Sequence, residues 1–293
     1  MEIRSKRHFR FYRPSAALVL TYAHVAAYQT SLRQAEKSPA TIEKYTHDAA
    51  RFCRFADHQP LTKELVLAYK QSLIDKNYKT NSINAMLCGL NSFLIFLGYG
   101  SFRVQGLRRQ RQIYRAEDRT LNQEEYLRLL QAASKKPWLQ LALQTICSTG
   151  IRISELKYFT VETIRTGVVT VSCKGKVRTI LLPRRLCDRL KDYCKNQKIQ
   201  TGAVFCTRNG KPLDRSFIWL QMKRLCTSAQ VASSKVFPHN LRKLFAITFY
   251  KIDKNIVRLA DALGHSSIDT TRIYLMTTQN EVQRTIEQLR LVI

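Results

Sequence analysis

Apolar residues recur at helical spacing through the first hundred positions, broken by short polar punctuation, and the pattern predicts four helices. The first covers about residues 16–33. Ser38-Pro39, a capping residue followed by a first-turn proline, starts a second that runs to about residue 55. A third covers about 62–73 and a fourth about 81–97, where Gly98 and Gly100 stop it. Periodicity lapses over 103–119, RVQGLRRQRQIYRAEDR, which reads as an interdomain linker. A Thr120/Asn122 cap then opens a helix to about 133, and another covers about 138–147. Residues 168–173 and 177–182 are β-branched runs flanking Lys174-Gly175-Lys176, the pattern of a hairpin with lysines at its tip. Helices follow at about 184–197 and 217–228, with a short strand at 203–206 and a turn at Asn209-Gly210 between them. The rest is helical, at about 240–250, 255–263, 268–275 and 281–291.

The expected fold class is therefore mainly α with a small β-hairpin, in two domains. A basic arm at 1–14 leads into a helical domain at 15–102, and a second domain at 120–276 is followed by a C-terminal helix at 277–293. The 293 residues, 45% of them hydrophobic, are enough to give each domain its own core.

Charge changes the picture from fold to partner. Lys and Arg outnumber Asp and Glu by 49 to 21, and the excess is spread, with +11 on residues 1–119 and +17 on 120–293. Two strongly basic domains call for a long polyanion, and nucleic acid is the leading candidate. No segment approaches the ~20 apolar residues of a membrane span. The eight cysteines lie mostly in apolar runs, without a C-x-x-C pair or metal-ligand spacing, and read as reduced thiols of a cytoplasmic protein. Arg4, Lys6, Arg7, Arg10 and Arg13 before SAALVLTYAHVAAY outline a signal peptide, but Tyr22 and His24 interrupt the apolar run.

Four short motifs carry candidate chemistry: Arg152 in TGIRISEL, Lys174 in SCKGKVR, His239 with Arg242 in PHNLRKL, and His265 with Tyr274 in LGHSSIDTTRIY. Cleaving a phosphodiester demands positive charge on the non-bridging oxygens, a nucleophile, and an acid for the leaving oxygen. Guanidinium forks suit the first need, which points to Arg152 and Arg242. Glu155, three residues after Arg152, is placed to orient it. Tyr274 is the candidate nucleophile, His239 its base and His265 a phosphate donor. The short helix around Tyr274 is expected to be mobile. Lys174 is the candidate acid for the leaving 5′ oxygen, with Lys176 competing for that role. Taken singly, each of these residues is as well explained by solvent exposure or packing; the set is what argues for chemistry.

In this order Arg152, Glu155, Lys174, His239, Arg242, His265 and Tyr274 resemble the Arg–Asp/Glu–Lys–His-x-x-Arg–His/Trp–Tyr pattern of the tyrosine recombinases, or phage-type integrases, and within them the compact Xer type. The resemblance covers most of 120–293, and the N-terminal bundle is similar in helix pattern to that family's SAM-like core-binding domain. It implies two domains closing as a C-shaped clamp on double-stranded DNA, and attack by Tyr274 to give a 3′-phosphotyrosyl link and a free 5′ hydroxyl. Strand exchange through a Holliday junction would then integrate, excise or invert DNA. It further implies a monomer that assembles as a homotetramer on two duplexes, an accessory or partner recombinase, no metal, no ATP and no other cofactor, and work at the nucleoid.

Lys176 and the linker arginines Arg103, Arg108, Arg109, Arg111 and Arg115 are expected to touch DNA. CKGKVR is one residue tighter than the commoner family hairpin, so Lys174 and Lys176 both stay in play. The arm Arg4–Arg13 is too short for a separate arm-binding module. Val282, Ile286 and Leu289 form an apolar stripe on the last helix, which docks either on a neighbouring protomer or on its own domain. Two alternatives share much of this pattern: a type IB topoisomerase-like nicking-resealing enzyme, and a catalytically idle DNA-binding protein of the same fold.

Overall fold

Side-chain caps set where the first helices start. In the computed structural model, which describes residues 18–108, 120–173, 176–207, 209–275, 283 and 286–289, Ser38 accepts from the Thr41 amide at the head of α2 (Pro39–Ala56) and Thr62 from the Leu65 amide at the head of α3 (Lys63–Asp75). The first helix is shorter than its apolar run suggests. α1 covers Tyr22–Gln34, because Thr21 caps it and its amide donates to His24 Nδ1 at 3.1 Å. Leu18 to Leu20 are extended instead; Val19 bridges to Pro60 and the Leu61 amide donates to the Leu18 carbonyl at 2.7 Å. α4 (Thr80–Phe96) completes a bundle around Tyr28, Phe52, Val66, Leu87, Leu90 and Phe93.

The described start of the arginine-rich stretch is strapped to this bundle through its backbone. Asn91 makes reciprocal bonds with the Val104 backbone and Asn84 with that of Leu107, while Lys63 donates to the Arg103 carbonyl at 2.5 Å. Val104 is buried, and the chain divides into two compact units, Met1–Arg111 and Gln112–Ile293. Residues 109–119, like the basic arm at 4–13, lie outside the described residues.

The second unit starts with α5 (Gln123–Ala132), capped by Asn122 and Glu125 in reciprocal bonds, and α6 (Pro137–Thr149). A 3-10 helix (Ile153–Tyr158) and α7 (Val161–Thr166) follow; α7, capped by Thr160 and ended by Gly167, was not evident from the sequence pattern. β1 (Val168–Cys173) and β2 (Lys176–Leu181) pair antiparallel with Cys173 opposite Lys176. This leaves two residues between the paired ends and places Lys176 in the strand rather than at the tip.

α8 (Arg184–Asn196) leads to α9 (Arg215–Lys223), which starts early because Asp214 caps the Ser216 amide at 2.7 Å, and then to the separate α10 (Cys226–Ala229). In place of a strand at 203–206, Ala203 and Cys206 make isolated bridges to Thr160 and Pro212. The remaining helices are α11 (Pro238–Asp253), α12 (Ile256–Leu263) and α13 (Ile268–Arg272), the last continuing into a 3-10 turn at Ile273–Leu275. Among the described residues no helix is long and apolar enough to cross a membrane.

Candidate active site

Two left-handed glycines frame the place where the motifs meet. α6 ends at Gly150, with φ +64°, and α12 ends at Gly264, with φ +63°, a conformation that only glycine adopts without strain. The missing side chains are used as space: a Cβ on Gly150 would strike the Phe245 ring, and one on Gly264 would lie 2.5 Å from Arg178 Cδ. The two helix ends present carbonyls, which carry negative partial charge, to one guanidinium. Arg242, in the second turn of α11, donates through Nη1 to the Gly150 carbonyl and through Nη2 to that of Leu263 at 2.6 Å. Its side chain is 2% exposed. Burial, helped by the charge of Arg152 and opposed by the Tyr274 hydroxyl, pushes its pKa down to about 10, so it remains a cation at neutral pH.

Arg152 caps the 3-10 helix that follows Gly150. Its amide donates to Glu155 Oε2 at 2.7 Å and its Nη1 to Oε1 at 3.0 Å, and the side chain stays two-fifths exposed (41%). Glu155 thus orients Arg152, and it does so with a second arginine that sequence reasoning missed. Arg178 of β2 donates through Nη2 to Glu155 Oε2 at 2.5 Å and through Nη1 to the Ala262 carbonyl at 2.6 Å. Burial pushes the Glu155 carboxyl up, but the Arg152 amide and the two guanidiniums outweigh it and hold it below the usual glutamate range. The signal for Arg178 lay in strand parity: Val177 and Leu181 face out while Arg178 and Ile180 face in.

His239, the second residue of α11, and His265, just after Gly264, flank Tyr274. The Tyr274 hydroxyl lies 3.5 Å from His239 Nδ1, a long contact of the sort that tightens only when substrate is bound. Ring centroids are 5.1 Å apart for His239 and 5.4 Å for His265. Desolvation by the surrounding protein, then the charges of Arg242, Lys243 and Arg152, lowers the pKa of His239, which keeps its ring neutral and able to accept a proton. Burial and the three nearby arginines push His265 down to about 4. Its Nε2 lies 2.9 Å from Arg242 Nη2 and its Nδ1 2.8 Å from Thr271 Oγ1, a buried hydroxyl that sequence reasoning also missed. Tyr274 is 5% exposed and packs with Ala246, Leu259 and Leu263, so in this state the tyrosine segment is docked in a small core of its own.

The structure therefore brings Arg152, Glu155, His239, Arg242, His265 and Tyr274 together. Lys174 lies outside the described residues, and Lys176 is described only as the first residue of β2. Arg103 and Arg108 are exposed on the first unit, Arg103 donating to the Gly100 carbonyl at 2.8 Å, while Arg109, Arg111 and Arg115 lie outside the described residues. Among the described residues no group of three or more His, Cys, Asp or Glu is arranged to hold a metal.

The chain is similar to known proteins in sequence and in fold. Residues 119–281 match the model of the phage integrase family and residues 25–98 that of the phage integrase N-terminal SAM-like domain. The tyrosine recombinase XerA of Pyrococcus furiosus is 28% identical over 273 residues, covering 90% of this chain and 93% of its own. The tyrosine recombinase XerC of a Roseiflexus species is 26% identical over 259 residues, covering 80% and 82%. Among solved structures, a lambda integrase tetramer bound to a Holliday junction superposes with a TM-score of 0.69 at 19% identity, covering 89% of this chain and 78% of the other. The XerH recombinase in a post-cleavage complex with palindromic difH DNA gives 0.70 at 17%, covering 91% and 84%. At these identities the structural likeness speaks for the fold.

Proposed function

The chain belongs to the phage integrase family, and on that premise we propose that it is a site-specific recombinase that cleaves and rejoins double-stranded DNA. Tyr274 Oη attacks a DNA phosphate and forms a Tyr–O–P bond. The bond from phosphorus to the 5′ oxygen breaks, leaving a 3′-phosphotyrosyl link and a free 5′ hydroxyl. The phenolic proton passes to His239, and the leaving oxygen takes a proton from Lys174, with Lys176 the competing donor. Arg242 and Arg152 hold the non-bridging oxygens. Attack by a 5′ hydroxyl of the partner duplex reverses the step and builds a Holliday junction. The phosphotyrosyl bond conserves the energy of the phosphodiester, so these steps balance without metal or ATP.

The observation that carries this reading is the placement of Tyr274 against His239 and beside the buried guanidinium of Arg242. Four protomers on two duplexes form the active assembly and separate to monomers off DNA, acting in the cytoplasm at the nucleoid with an accessory or partner recombinase. Lys176 and the arginines at 103, 108, 109, 111 and 115 add phosphate contacts. Ile286 and Leu289, 54% and 56% exposed, present the C-terminal helix for a neighbour, and an apolar groove of about 330 Å³ beside Tyr126, Leu127, Phe249 and Ile252 is its receptor.

The test begins by selecting bound duplexes from a random-sequence library and building a nicked version of the selected site. The wild-type chain should form an SDS-resistant adduct on it, and Tyr274→Phe should bind the same duplex without one. An adduct that survives in Tyr274→Phe refutes the assignment.

A further inference from the structure

We infer that Thr271 is a positioning residue that, together with Arg242, fixes which nitrogen of His265 carries the proton, and so helps to make His265 an orienting acceptor for Arg242. The functional half of this inference rests on the reading of Arg242 and Tyr274 as cleavage residues.

A guanidinium has only N–H donors, so the 2.9 Å contact between Arg242 Nη2 and His265 Nε2 requires a lone pair on Nε2. The single proton of the neutral ring then sits on Nδ1, where its acceptor is Thr271 Oγ1 at 2.8 Å. A proton on Nε2 would face the Arg242 N–H directly. The strong lowering of the His265 pKa agrees with a ring that stays neutral beside these cations.

Two consequences follow. Nη2 of Arg242 is held between the Leu263 carbonyl and His265, and Nη1 is held by the Gly150 carbonyl, so the plane of the guanidinium is set before any phosphate arrives. In this tautomer Nε2 accepts from Arg242, so His265 helps to orient that guanidinium. Thr271 is also fully buried on α13, three residues ahead of Tyr274, so a relay of two side-chain bonds through His265 ties the tyrosine-bearing segment to the arginine that it must face.

Histidine-¹⁵N-labelled full-length chain tests this directly. Long-range ¹H–¹⁵N correlation spectra at neutral pH, with His265 assigned through His265→Gln, should show the proton on Nδ1 in the wild type and in Thr271→Ser. Thr271→Val, which keeps the shape but removes the acceptor, should move the ring toward the Nε2–H form. On the nicked duplex, single-turnover adduct formation should slow by about tenfold in Thr271→Val, as expected for one buried unsatisfied donor, and stay within about twofold in Thr271→Ser. The half-saturating DNA concentration should not change, which separates positioning from loss of binding. An Nε2–H ring in the wild type, a Thr271→Val chain with wild-type spectrum or rate, or a Thr271→Ser chain as slow as Thr271→Val would each overturn the inference. Tyr274→Phe run alongside keeps the two readings apart: an adduct surviving there removes the nucleophile assignment, whereas the tautomer spectrum bears on Thr271 alone.

Discussion

Asp48 in the first unit and Glu155 in the second are buried to nearly the same extent, 5% and 2% exposed, yet their carboxyls shift in opposite directions. Asp48 has one ion-pair partner among the described residues, Lys44, whose side chain is 45% exposed; burial outweighs it and the weaker, more distant charge of Arg51, and the Asp48 pKa is raised. Glu155 meets two guanidiniums and a backbone amide, and despite burial its pKa falls. Burial costs each carboxylate hydration, and the sign is decided by how many donors replace the water. Asp48 is a packing detail where α2 meets Gly89 of α4. Glu155 is the centre of a frame that links the α6 turn, the hairpin and the end of α12.

The largest expected effect of this difference is in Glu155→Leu. It leaves the largely covered Arg178 guanidinium, 13% exposed, without its counter-charge, and the second unit should lose about 3–5 kcal/mol of stability. Both tryptophans, Trp138 and Trp219, lie in that unit, so denaturant unfolding followed by their emission reports on it alone. A loss below about 1 kcal/mol would mean that the frame is ornamental.

Acid should separate the two carboxylates next. Because the folded pKa of Glu155 is depressed, its contribution is fully present above the ordinary value of 4.5 and is lost as pH falls through the folded value. The raised Asp48 works the other way: its contribution is full below the ordinary 3.8 and is lost as pH rises through the folded value. Tryptophan-detected stability should therefore drop as pH is lowered below 4.5, and this part of the drop should vanish in Glu155→Leu; a profile unchanged by that substitution contradicts the assignment. The smallest effect belongs to Asp48→Asn, which leaves only a half-exposed lysine unpaired and should change stability by less than about 1 kcal/mol, measured by calorimetry.

The frame was partly legible in the sequence. Gly150 and Gly264 stand in TGIR and LGHS because the turns need positive φ, and the i, i+3 spacing of His239 and Arg242 places both at the head of one helix. Arg178 and Thr271 were not legible as site residues. Strand parity says that Arg178 points inward, but nothing local says that it will meet Glu155, 23 positions earlier, and the Ala262 carbonyl, 84 later. Thr271 reads as an ordinary polar residue of a short helix until the fold sets His265 against it. The same holds for the segment after the bundle: its lapse of periodicity reads as a linker, while the bonds from Asn84 and Asn91 that strap its start down leave no periodic trace.

The central claim is that this frame serves Tyr274. It is tested most directly by trapping the covalent complex on the nicked selected duplex, digesting protein and DNA, and mapping the modified peptide by mass spectrometry. The account predicts one nucleotide-bearing peptide, containing Tyr274 joined through its phenolic oxygen to a 3′ phosphate. A link through any other residue, or to a 5′ phosphate, would contradict it.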